Sequence, residues 1–110
     1  MNELIEQTLV DFPIPVAFLY YDGDAPDYVT YQHTDSDNVL GADNAIQNYV
    51  DFYDFDVYSK GNYFSYIDQL KEKLTAAGFL WQPSRSSGDM YERDTRYFHK
   101  TLCFAIERSN

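Results

Sequence analysis

The stretch NYVDFYDFDVY, Asn48 to Tyr58, constrains the fold more than any other. Within it Tyr53, Phe55 and Val57 alternate with Asp54 and Asp56. Successive side chains of a strand point to opposite faces, so this alternation predicts a long strand over about 45–58. One face would lie in the core and the other in water. Asp51, Asp54 and Asp56 raise a second reading, a metal or acid site on an aromatic platform. Upstream, Tyr49, Val50 and Phe52 are apolar on both faces. A bulge, or a partner covering both sides, is expected there.

The flanking segments extend the pattern. Leu4, Ile5, Leu9 and Phe12 recur at helical spacing and predict a short helix over 3–11, stopped by Pro13 and Pro15. VAFLYY, Val16 to Tyr21, is a continuous apolar run that predicts a strand buried on both faces. YVTYQH, Tyr28 to His33, predicts a second strand, and residues 34–44 a polar loop. Asn62 is placed as an N-cap for a helix over 63–77, with Tyr63, Tyr66, Ile67, Leu70, Leu74 and Ala77 as its apolar stripe. Gly78 is placed to end it. Phe79, Leu80 and Trp81 begin a fourth strand. Residues 82–94 are expected to be flexible, with 90–97 ambiguous between strand and loop. Phe98 to Glu107 closes the chain as a strand, with Phe98, Leu102, Phe104 and Ile106 on one face. The expected fold is α+β: a mainly antiparallel sheet of about five strands with two helices on one face, in the order α-β-β-β-α-β-β. At 110 residues a single domain is expected.

Charge narrows the function. The net charge is −10, and residues 1–59 contain no Lys or Arg. That balance argues against a grip on nucleic acid or on an anionic membrane. No apolar run reaches the length of a membrane span, and the start MNELIEQTLV lacks the basic residues of a secretory signal. The uneven charge reads either as a solvated acidic surface or as self-complementarity, one copy's acidic half meeting another's basic half.

Chemistry finds little footing. The acidic segments complete no calcium-loop pattern, and one Cys with two separated His argues against structural zinc. His99 and Cys103 share a strand face but stand roughly 13 Å apart at the usual rise. That is too far for a thiolate–imidazole pair, and Cys103 reads as a small buried hydrophobe. No phosphate loop or nucleophile elbow occurs. Neither an enzyme nor a metal or other cofactor is expected.

Four segments carry a resemblance: YVTYQHTDSDNVLGADN, then YDFDVYSK (Tyr53 to Lys60), then IDQLKEKLTAAGFLW, then the closing aromatic strand. Over residues 28–107 the chain resembles siphophage and prophage head–tail connector and tail-terminator proteins, also called tail completion or minor capsid proteins. The high acidity and the stretch QPSRSSGDMYERD depart from their pattern. The resemblance implies a homo-oligomeric ring, a hexamer in the virion, built in the bacterial host cytoplasm. Such a ring caps the tail tube, contacts the tube protein and head-completion proteins, and admits the head. Tyr49, Val50, Phe52, Arg85, Arg93 and Arg96 are the candidate interface residues, and the segments 34–44 and 82–94 the candidate docking elements. The alternative is an acidic DNA mimic that inhibits a DNA-binding host protein.

Overall fold

The computed structural model describes residues 2–40 and 46–109. Its order is α1 (Asn2–Thr8), β1 (Val16–Phe18), β2 (Tyr28–Leu40), β3 (Ile46–Ser59), α2 (Phe64–Ala76), β4 (Leu80–Trp81), a short 3-10 turn at Pro83–Arg85, β5 (Met90–Glu92) and β6 (Tyr97–Ser109). The class is α+β, with a mixed sheet of six strands in place of the expected five. The sheet runs β1-β2-β3-β6-β4, and β5 also pairs with β6. β1 lies parallel to β2, and the remaining pairings are antiparallel. The additional strand, β5, comes from the segment the sequence left ambiguous. It meets β6 at Tyr97–His99, and β4 meets the same edge at Phe104 and Ala105. Between them Ser87 bridges: its backbone N donates to the Thr101 carbonyl (2.9 Å), and its Oγ accepts from the Thr101 N (2.9 Å).

Both helices pack on one face. Ile5 of α1, Leu9 in the turn just after it, and Ile67, Leu70 and Leu74 of α2 close over Val29, Tyr31, Tyr53, Phe55, Val57, Leu102 and Phe104. The period-two reading of β3 therefore holds for its core face. α2 ends as its glycine predicts. Gly78 adopts φ +102°, its N donates to the Thr75 carbonyl (3.1 Å), and the Phe79 N donates to that of Leu74 (2.9 Å). These two bonds cap the last carbonyls and deliver buried Phe79 onto Leu74. At the other end the N-cap is Tyr63 rather than the expected Asn62, which stands one residue earlier and still accepts the Phe64 N at its Oδ1 (3.0 Å).

Three expectations need correction. VAFLYY is not a strand buried on both faces. Only Val16–Phe18 pairs, at the sheet edge, and Phe18, Leu19 and Tyr20 are exposed. A short apolar run has no period that separates a buried strand from an exposed edge. Residues 34–40 are not a loop, because β2 continues through them; the remainder of that expected loop and Ala45 lie outside the described residues. At 34–37 the polar composition reflects exposure rather than loop geometry, since backbone pairing with β3 supplies the hydrogen bonds. Residues 82–94 form a 3-10 turn and a strand instead of a flexible connection.

Candidate functional site

The main core takes no residue of β3 before Tyr53. Beyond that point β2, β3 and β6 continue as a three-stranded arm, with β3 paired to β6 as far as Asn48 and Ser109. The molecule is elongated, 52 × 26 × 23 Å. The β2–β3 register shifts twice, on β2 between His33 and Asp35 and again between Val39 and Leu40 near the far end, while the β3–β6 pairing is continuous; the first shift is the one beside Phe52. The bulge expected in β3 thus lies in its neighbour, at Thr34, whose hydroxyl donates to the Phe52 carbonyl (3.3 Å).

The two-sided apolar patch sits in this arm, and an arginine covers each side. On the face away from the helices, the Arg85 guanidinium carbon lies 3.7 Å from the Phe52 ring centroid. Arg85 also reaches Asp35 (3.6 Å) and Asp37 (4.0 Å) on β2. Beneath it Phe52 packs with Cys103, Ala105 and Val50 as a second, smaller core, and Phe52 is only 7% exposed. On the opposite face the Arg108 guanidinium carbon lies 4.6 Å from the Tyr49 ring. Arg108 holds Asp51 through Nε (2.8 Å) and Nη2 (3.4 Å), and Ser36 Oγ donates to the same carboxylate (2.7 Å). Asp51 is 4% exposed, and the Arg108 bond holds its carboxyl below the ordinary range.

The carboxylates expected on a wet face are largely engaged. Asp56 accepts from Thr101 Oγ1 and lies 3.0 Å from His99 Nε2. Asp54 shares a hydrogen bond with the Cys103 thiol; burial, then the nearby Asp56 charge, raises its pKa. Burial, then Asp54, pushes the Cys103 thiol to about 11, which suppresses the thiolate. Further down this face Tyr21, Tyr28, Tyr58 and His99 stack in series, at centroid spacings of 4.7, 4.8 and 4.2 Å. Their faces meet each other, so the row presents ring edges rather than a flat platform to a ligand. Burial raises the Tyr58 hydroxyl to about 12. Among the described residues no group of three His, Cys, Asp or Glu could hold a metal ion, and no helix is long and apolar enough to cross a membrane.

Of the six candidate residues, four gather on the arm: Phe52 under Arg85, with Val50 beside it, and Tyr49 on the other face. Arg93 and Arg96 stand apart, exposed in the β5–β6 turn and without an ion-pair partner among the described residues. Arg108 escaped the sequence reading, because its partner Asp51 is 57 positions away and nothing local links them. No protein-family model matches the chain, and a search of the curated proteins finds no significant match.

Proposed function

We propose that the protein is a structural subunit of a phage head–tail joint or tail terminus. Copies assemble into a ring, six in the virion, that caps the tail tube and receives the head. The observation that carries this reading is the pair of unlike lateral edges on one elongated sheet. One edge is β1 with the outer side of β2, along an acidic half of the chain. The other is β4 and β5 along β6, with the basic turn. Unlike edges suit a head-to-tail contact, which forms a ring when its rotation closes. Among the described residues no strand pairs with the outer side of β2 beyond Tyr31, or with that of β6 beyond Ala105. The arm therefore offers unpaired backbone to the next layer. An acidic lining would let a DNA genome pass without adhering.

The DNA-mimic alternative draws less support. Asp51 and Asp56 are withdrawn from solvent and turn to partners within the chain, and exposed Asp35 and Asp37 share Arg85. A mimic presents its carboxylates to solvent in a phosphate-like row.

The test is assembly with tail tubes. Purified protein mixed with tube protein should form rings of fixed copy number at tube ends, visible by negative-stain microscopy, and halt tube growth. A chain that binds no tube end and stays monomeric at high concentration would sink this reading.

A further inference from the structure

Two exposed apolar features lie on opposite edges of the sheet. Just past β1, Leu19 and Tyr20 are 56% and 72% exposed. Leu19 holds φ +69°, and the Tyr20 N donates to the Phe18 carbonyl at 2.8 Å, a three-residue turn in its strained, positive-φ form. Glycine would relieve that strain, yet leucine stands there. The turn is pinned on both sides. The Leu19 N donates to the Tyr31 carbonyl (2.9 Å), and Tyr21 stacks on Tyr28. Tyr21 also closes over Gly23, where a Cβ would stand 2.2 Å from its hydroxyl, and accepts from the Ala25 N (3.1 Å). The result is a preorganised apolar knob. Strain of this kind persists only where the surroundings fix it, and it concentrates at functional sites.

On the other edge, beside β5, a hollow opens between Phe64, Phe98 and Tyr63, rimmed by Gly61, Asn62 and Asp89. Its polar rim is already satisfied, since the Tyr63 hydroxyl donates to Asp89 and Lys100 lies 3.6 Å from that carboxylate. What remains open is apolar, and Phe64 is 58% exposed. Charge matches shape. The knob leads into Asp22 and Asp24, which have no partner among the described residues. The hollow adjoins the β5–β6 turn, where Arg93, Arg96 and Lys60, whose Nζ donates to the Thr95 carbonyl, outnumber Glu92 and Asp94.

We infer that neighbouring copies of this chain join knob to hollow: Leu19 and Tyr20 of one copy seat between Phe64 and Phe98 of the next, with Asp22 and Asp24 facing Arg93 and Arg96. This contact rests on the ring reading and names the surfaces that close it. The occupant is a second copy because knob and hollow match each other in polarity and charge yet stand on opposite edges, beyond reach within one chain. A rigid knob loses little freedom on docking, which favours a stable joint from a small area.

Disulfide trapping tests the contact. Leu19→Cys and Phe64→Cys alter exposed positions, and Cys103 is buried and cannot compete. Under mild oxidation the double variant should give a covalent ladder ending at the ring's copy number. An equal mixture of the two single variants should stop at dimers, the signature of a head-to-tail joint. Asp22→Lys with Asp24→Lys should weaken assembly at least tenfold, and adding Arg93→Asp with Arg96→Asp should restore it. Wild-type rings without a ladder, or rings indifferent to the charge changes, overturn this contact and leave the ring standing. A wild-type chain that never self-associates overturns both.

Discussion

At the scale of single residues, two aspartates three positions apart on β3, Asp51 and Asp54, behave oppositely. Asp51 is held below the ordinary carboxylate range, first by its bond to Arg108. Its contribution to stability is therefore present above the unfolded pKa and lost as pH falls through the lower folded one. Arg108→Ala should lower the melting temperature at neutral pH, by less than the loss of a fully buried pair would, because Arg108 is half in water. Thermal melts from pH 7 down to pH 3 should show the variant and the wild type converging. Asp54 is raised, first by burial, so its charged form opposes folding at neutral pH. Asp54→Asn keeps an acceptor for the Cys103 thiol and removes the charge. It should melt higher than wild type at pH 7. That advantage should shrink as pH falls toward the ordinary carboxylate range, where wild-type Asp54 gains a proton. The alternation in DFYDFDV does not separate these two carboxyls; the bond from Arg108 on the next strand lowers one, and burial under the folded sheet raises the other.

At the scale of elements, α2 was legible in nearly every particular. Its stripe, its glycine stop and the buried Phe79 after it follow from local spacing. Gly78→Ala meets no steric obstacle, so its cost is that of forcing an L-residue into φ +102°, about 1–2 kcal/mol. A denaturant titration should show an earlier midpoint at unchanged slope. β1 and β2 were less legible. Their polar and apolar runs carry no period that separates an exposed strand from a loop, and pairing with β3 determines the outcome. β5 is similar: Met90–Glu92 are all exposed, and the segment becomes a strand because the β6 edge lies beside it.

At the scale of the whole molecule, the charge asymmetry is partly consumed within one chain. Arg85 meets Asp35 and Asp37, Arg108 meets Asp51, and Lys73 meets Asp11 (2.9 Å). The candidate arginines therefore divide by role. Arg85→Glu would set a third carboxylate beside Asp35 and Asp37 and uncover Phe52. It should lower the melting temperature, at a cost of about 1–2 kcal/mol. Arg93→Glu with Arg96→Glu changes exposed turn positions and should leave folding within about 0.5 kcal/mol of wild type. Calorimetry beside a tube-capping assay separates the two: Arg85→Glu moves the melt, and the turn variant moves only assembly.

The sequence by itself determined the α+β class, the core face of β3, and the second helix with its stop. These depend on periodicity and local backbone chemistry, which a short window of residues contains. Only the tertiary structure decided that the sheet outruns its helices as an arm, that Arg85 and Arg108 seal that arm over Phe52 and Tyr49, and that Leu19 and Tyr20 protrude. Those outcomes depend on which strand lies beside which. The contacts that fix strand order join residues tens of positions apart, and no local pattern encodes them.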